Sequence, residues 1–488
     1  MTTQSAAIVG NVQPPDRYPP LGHLVFDATF ESGNLGRVDE LSIDEYDLFI
    51  RPDTCNQSYR VWFYFSCDNM HKNQRVVFNV VNFSKLRNLF DKNCAAPVYR
   101  EVNLEGGGWN RIPLNQIYYY KSQAHSNRFI LSFVHLFRDE GRIEFAYSIP
   151  YTYTRLQTFL KQIDDRKLDY YRRDPLCNSV QKRRVDLLTI STPDNLHSSK
   201  QKIVFVTARV HPGETPSSHV LEGFLEFLLG NDKRAKKLRS IFIFKIVPML
   251  NPDGCVLGNY RCSLMGFDLN RQWQHPSVWA HPSIAATKSL LLQFNTNPVN
   301  KTKQLKPMSF LSMRKFVFVL TCMHTRNVRI PFLYGNLTAT SPRRCKRQLY
   351  IPYILAEITE DYSLQYTNFN TDIDKVGTNR RTMGELLDNS CLCYTFEVSF
   401  FSYRPKDVDV EQAVPYFEHS FQTNCLAKSL SIAILKYTEV LHDESMIKVS
   451  RAFETFLPRK VVKHFRLQQI QQQQQNVRSG RSSSLHAK

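Results

Sequence analysis

The chain has 488 residues, 42% of them apolar, a formal net charge of +19 and eleven cysteines, which is long enough for two to four domains, one of them large, each with its own core. No apolar run reaches transmembrane length and Met1 to Pro20 lacks the apolar centre of a signal peptide, so we expect a soluble protein of the cytoplasm with no membrane partner. The cysteines are odd in number and scattered, with only Cys391 and Cys393 close together, a pattern of reduced thiols rather than of a disulfide framework or a cysteine zinc site.

The positive charge is local. From Leu269 to Ala356 thirteen Lys and Arg face no acidic residue, and from Met446 onward nine basic residues face only Glu454; these stretches carry +13 and +8, leaving the rest at −2. A concentrated basic zone attracts an acidic ligand, either polynucleotide or acidic polypeptide. The competing reading is a solvated basic surface without a dedicated partner.

In chain order, residues 1–20 are polar and proline-bearing, and we expect them to be disordered. Residues 21–150 carry short aromatic and β-branched runs, at Val25–Phe30, Tyr46–Ile50, Tyr59–Phe65, Val76–Val80 and Phe129–Phe133, parted by Gly, Asn, Asp and Pro. This spacing predicts an antiparallel β-sandwich domain, with Pro150–Thr154 as its exit. Over residues 151–440 the pattern alternates: helical spacing over Tyr151–Tyr171, strands at Val185–Ile190, Ile203–Val210 and Ile241–Leu250, an amphipathic helix over Ser218–Leu229, and a late helix including Ser429–Tyr437. Such alternation predicts an α/β domain with a mixed sheet flanked by helices, whose site lies at the carboxyl ends of its strands. Residues 441–488, basic and rich in Gln and Ser, form a tail with no catalytic role in this reading.

Three clusters carry chemistry. His211-Pro-Gly-Glu214 ends a buried strand in a tight turn that lets an imidazole and a carboxylate converge, a donor pair suited to a first-row metal. Taken alone, the pair also fits a surface hydrogen bond. Next, Asn251-Pro-Asp-Gly254 leads to Arg261 and to Asp268-Leu-Asn270-Arg271; two arginines and an asparagine can grip a carboxylate and polarise a carbonyl, or serve as structural ion pairs. Last, Tyr394-Thr-Phe-Glu397-Val-Ser-Phe400 places one carboxylate among apolar neighbours, which raises its pKa and suits proton exchange with a metal-bound water.

In this order and spacing, and with the run Asn259-Tyr-Arg-Cys-Ser-Leu-Met-Gly-Phe-Asp-Leu-Asn-Arg271, the motifs resemble the cytosolic carboxypeptidase branch of the zinc metallocarboxypeptidases over residues 24–440. The resemblance implies a β-sandwich N-domain followed by a carboxypeptidase α/β domain holding one zinc ion. It implies that His211 and Glu214 are zinc ligands, Arg261 the carbonyl polariser, Asn270 and Arg271 the clamp on the substrate's terminal carboxylate, and Glu397 the general base. The open coordination position would hold the water that Glu397 deprotonates. Relatives of this type remove glutamates from acidic tails of tubulin and other proteins, so acidic or polyglutamylated tails are the expected partners and nucleic acid is not. A glutamate side chain needs a cation at the floor of its pocket, and Gly377-Thr-Asn-Arg380-Arg381 precedes the Glu397 strand, matching the family's Gly-Thr-x-Arg-Arg.

One departure stands out. Relatives carry Asp-x-His-x-His-Ser about nine residues before Phe-x-Tyr-Gly-Asn, and its first His is the third zinc ligand. Counting back without gaps from Phe332-Leu-Tyr-Gly-Asn336, that place falls on Met323 and the Asp place on Thr321. The nearest imidazole, His324, is one residue out of phase, and a β-bulge would restore its aim. His324 is therefore the expected third metal ligand. The alternative is a catalytically impaired relative that binds acidic tails.

Overall fold

The computed structural model describes residues 10–84, 89–90, 96–102, 108–196, 202–295, 315–324, 331–336, 342–359, 362–369, 372–388, 390–399, 402–403, 414–415 and 425–442; at 315–324, 342–346, 402–403, 414–415, 425 and 441–442 this is the backbone alone. The expected tail from 443 and most of the basic stretch 296–330 lie outside the described residues.

The five aromatic runs fall on strands β1 (Val25–Asp27), β3 (Glu45–Phe49), β4 (Tyr64–Asp68, later than the expected Tyr59–Phe65), β5 (Arg75–Val80) and β9 (Arg128–Leu136), and five strands that carried no such run join them: β2 (Arg37–Ser42), β6 (Val98–Glu101), β7 (Asn110–Arg111), β8 (Ile117–Ser122) and β10 (Ile143–Ala146). They form two five-stranded sheets, ordered β1-β4-β10-β6-β7 and β2-β3-β5-β9-β8. The sheets are antiparallel except where β3 pairs with β5 in parallel. Phe65 and Phe145 of one sheet meet Phe78 of the other at ring distances of 6.1 and 5.2 Å, so the inward faces close on an aromatic core. Residues 10–20, expected to be disordered, are partly tied to this body: Val12 donates its N–H to Leu35, and its carbonyl accepts from Ala28. Two backbone bonds and the Asn11 side-chain contacts to Gly33 and Leu35 supply the ordering that composition did not reveal.

Beyond the helix Tyr153–Asp165 come β11 (Tyr171–Asn178), β12 (Arg184–Ile190), β13 (Lys202–Ala208), β14 (Phe242–Val247), β15 (Lys315–His324), β16 (Phe332–Tyr334) and β17 (Leu392–Val398). The helical spacing expected to reach Tyr171 stops at Asp165, and Tyr171 instead opens an edge strand. The seven strands lie in the order β11-β12-β14-β13-β15-β17-β16. Neighbours from β14 through β13 and β15 to β17 are parallel, whereas the outer pairs are antiparallel. Strand β13 is buried on both faces. Val204, Val206 and Ala208 pack with Leu221, Phe224 and Leu228 of the helix Pro216–Leu229, while Ile203 and Phe205 pack with Ile284 and Leu291 of the helix Pro282–Phe294. A strand covered by helices on both sides needs an unbroken apolar run, which is why Ile203–Val210 reads as one.

The parallel strands run the same way, so their carboxyl ends meet at one edge of the sheet. The sandwich docks beside that edge. Gly258, in the left-handed conformation with φ +71°, ends the helix Pro252–Leu257 so close to the sandwich that a Cβ there would lie 2.4 Å from the Gly33 carbonyl.

Candidate active site

The turn after β13 is built by a residue that the sequence did not flag. Arg209 adopts φ +55°, a left-handed conformation that costs a side-chain-bearing residue energy. Its buried guanidinium donates to the carbonyls of Pro212 (2.7 Å) and Tyr151 (2.9 Å) and to Ser218 Oγ (3.0 Å). These bonds hold the turn folded back on the first residues of the following helix. At Gly213 an added Cβ would sit 2.8 Å from the Tyr260 ring and 2.9 Å from its carbonyl oxygen, which the Gly213 N–H donates to at 2.8 Å. Only glycine permits that approach.

The turn brings His211 and Glu214 together in the interior, with His211 Nδ1 2.8 Å from Glu214 Oε1. On the other side of the ring, Nε2 lies 3.0 Å from Asp268 Oδ1. Burial, and then Arg261, disfavour a charged ring, but the two carboxylates between which it stands raise its pKa. Asp268 also accepts from Arg261, through Nε at 2.8 Å and Nη2 at 2.7 Å. Although burial works against its charge, His211 and Arg261 together hold Asp268 far below the usual carboxylate range. Asp268 is thus the hub that sequence reading missed, although its signal was present: a histidine that would hold a metal commonly has a carboxylate, carbonyl or water on its second nitrogen, and an aspartate stood two places before Asn270.

Asn270 and Arg271 follow in a short 3-10 turn that Asp268 caps. Asn270 is buried and its Oδ1 accepts from the Asn379 N–H at 3.1 Å. Arg271 is the more open of the two, with Nη1 3.9 Å from Asp268 and its side chain 31% exposed. Gly377 approaches the Arg271 carbonyl so closely that a Cβ would lie 2.5 Å away, and this contact sets the start of the helix Asn379–Leu386 beside the site.

That helix carries Arg380 and Arg381. Arg380 is buried; its Nη1 donates to the Gly335 carbonyl and to Asn336 Oδ1 (2.8 Å), and its own carbonyl accepts from Asn336 Nδ2 (2.8 Å). Burial, and then Arg381, push its pKa down to about 10. Arg381 pairs with Glu385 one helical turn on, at 3.8 Å. Glu397 is buried near the end of β17, where burial, and then the charge of Glu214, push its carboxyl up to about 8 against the pull of His211, Arg261 and Arg380. Those influences place Glu397 among the same group of residues.

For zinc, the donor set fits: a buried imidazole nitrogen and a carboxylate oxygen side by side, with the far side of the ring anchored. Among the described residues no group of three or more His, Cys, Asp or Glu completes a metal site. The backbone of β15 passes between β13 and β17, with Ala208 level with Cys322, Met323 level with Glu397 and His324 level with Val398. The side chains of Met323 and His324 lie outside the described residues.

A mixed sheet with a buried His–Glu pair at the end of a central strand and a buried glutamate two strands over is the arrangement of a metallocarboxypeptidase. Among solved structures, the metallo-carboxypeptidase from Burkholderia cenocepacia has this fold, with a TM-score of 0.68 at 21% identity over 86% of this chain and 99% of that one. Residues 156–407 match the zinc carboxypeptidase family model, and residues 26–147 match the cytosolic carboxypeptidase N-terminal domain. Cytosolic carboxypeptidase 6 of Caenorhabditis elegans is 51% identical over 466 residues, spanning 94% of this chain and 97% of the relative. The protein of that name from Homo sapiens is 45% identical over 422 residues, spanning 86% and 79%. The chain belongs to the cytosolic carboxypeptidase family of zinc carboxypeptidases. No described helix is long and apolar enough to cross a membrane.

Proposed function

We propose that the protein is a zinc-dependent carboxypeptidase of the cytoplasm that removes C-terminal glutamates from acidic protein tails, polyglutamylated tubulin among them. The observation that supports this best is the buried pair His211 and Glu214, 2.8 Å apart at the end of β13, with the buried carboxyl of Glu397 near the same end of β17, two strands away. One zinc ion, held by His211, Glu214 and His324, supplies Lewis acidity and a more acidic water when bound. Glu397 takes the water's proton on a carboxylate oxygen and releases it to the departing amine, and its burial raises its affinity for that proton. The Arg261 guanidinium, fixed by Asp268, stabilises negative charge on the scissile carbonyl oxygen. Asn270 and Arg271 bind the substrate's terminal carboxylate, while Arg380 and Arg381 supply positive charge for the glutamate side chain.

The decisive comparison is wild type with Glu397→Gln on a peptide ending in several glutamates. We expect the variant to keep its zinc and its fold while turnover falls by about 10²-fold or more. Glutamate release at the wild-type rate would remove Glu397 from the role of base. The second reading, a relative that grips acidic tails without cleaving them, draws support from the β15–β17 register, in which Met323 and not His324 is level with Glu397. A wild-type protein that binds the peptide but no zinc would establish it.

A further inference from the structure

Three successive backbone N–H groups, those of Tyr260, Arg261 and Cys262, converge on one carboxylate. It belongs to Asp53, in the sandwich: Oδ1 accepts from Tyr260 at 2.6 Å, and Oδ2 accepts from Arg261 and Cys262 at 2.7 Å each. Consecutive N–H groups turned to one side form a concave anion site, and here the chain fills it with its own side chain. Asp53 is buried at 2% exposure, so this contact is shielded from solvent. The next residue repeats the tether, since the Thr54 N–H donates to Asn259 Oδ1 at 3.1 Å and Thr54 Oγ1 accepts from Asn259 Nδ2 at 2.7 Å. The sandwich also reaches the side chain itself, for the Arg261 guanidinium carbon lies 5.9 Å from the centre of the Tyr59 ring.

The held segment touches the reaction centre at two points. Arg261 carries the guanidinium that meets Asp268, and the Tyr260 carbonyl accepts the N–H of Gly213, between His211 and Glu214. We infer that Asp53 is a positioning residue for the peptidase reaction: the N-terminal sandwich acts through it to set where Arg261 stands relative to the scissile carbonyl. This inference rests on the carboxypeptidase reading above. A group whose value is realised only in the transition state must be placed closely, because a displacement of about 1 Å can cost about 10²-fold in rate. The reaction centre is therefore shared between the sandwich and the seven-stranded sheet.

The test uses the full chain with Asp53→Asn, which replaces one accepting oxygen by an amide that faces N–H donors. On the polyglutamate peptide we expect kcat to fall by about tenfold or more with KM within about threefold, and zinc content to be unchanged. A purely structural role would lower Tm without touching the kcat of the folded, zinc-loaded fraction. In an Arg261→Ala background Asp53→Asn should change kcat by less than about twofold, because the group it positions is gone. Independent multiplication of the two losses, or wild-type kinetics in Asp53→Asn, would overturn the inference. Should Asp53→Asn fail to fold, Thr54→Val loosens the same tether at its Oγ1, and wild-type kcat in that variant would equally overturn it. Binding of a phosphinic-acid analogue of the peptide separates this idea from its foundation. A wild type that turns over no peptide refutes the carboxypeptidase reading, whereas analogue affinity undiminished in Asp53→Asn refutes the positioning role alone.

Discussion

In the register of β15 against β17, the backbone places Met323 level with Glu397 and His324 one residue further along. A thioether is a poor zinc ligand, and two protein ligands seldom hold the metal well, so the chemistry favours His324 over its neighbour. We expect His324→Ala to lose zinc and activity together and Met323→Leu to keep both, as read by metal analysis and peptide hydrolysis on the same preparations. Stoichiometric zinc and full activity in His324→Ala would show that the ligand is another residue. Arg380 presents a different conflict. Its guanidinium donates to Gly335 and Asn336, which ties it into the fold, and its charge also reaches Glu397. Arg380→Ala should lower kcat/KM on C-terminal glutamate by about tenfold or more while peptide affinity through the terminal carboxylate changes little. Unaltered kinetics with polyglutamate would confine Arg380 to packing.

Strand β9 carries an ionisable group in an aromatic setting. The rings of Tyr99, Phe137 and Phe145 stand 4.6, 4.9 and 5.1 Å from His135, and burial pushes its pKa down to about 4 from the ordinary 6.5. Between those values the unfolded chain binds a proton that the folded one refuses. The contribution of neutral His135 is therefore fully present above pH 6.5 and is lost as pH falls toward 4, amounting to about 2 kcal/mol by pH 5. Urea unfolding at pH 7.5 and pH 5 should show this loss in wild type and a smaller one in His135→Phe. Equal losses in both proteins would show that other groups set the acid sensitivity. The same element-scale reasoning explains the turn after β13, where the Arg209 side chain satisfies carbonyls of its own turn and so offsets its backbone conformation.

Across the whole molecule, the acid-free run from Leu269 to Ala356 contributes +13 while most of the remaining chain is close to neutral. If that charge gathers acidic tails, raising salt from about 50 to about 300 mM should raise KM for a polyglutamate peptide several-fold while leaving kcat nearly constant, because screening weakens encounter and not chemistry. A salt-independent KM would assign recognition to short-range contacts at Arg271 and Arg380.

The two fold classes were legible from period alone. Alternating aromatic runs such as Val76–Val80 bury one face against another sheet, and an unbroken apolar run such as Ile203–Val210 is buried on both, so local pattern and burial carry the same information. His211, Glu214, Arg261, Asn270, Arg271 and Glu397 could be singled out in the sequence because few side chains offer metal, carboxylate-binding or proton-transfer chemistry, while the hydrogen bonds that surround them came from the fold. Asp268 escaped notice because its role depends on which face of an imidazole it meets across 57 positions of chain. Arg209 and Asp53 carry no local signal at all. The left-handed Arg209 is held by three acceptors that only the fold brings around it, and Asp53 becomes an anchor because a turn 207 residues later presents its N–H groups. Sequence by itself determined the fold class, the chemistry-bearing motifs and the family; the tertiary structure decided the remaining strands, such as β2, β8 and β11, and which polar groups meet across the two bodies, because hydrogen-bond partners far apart in the chain are selected by packing and not by period.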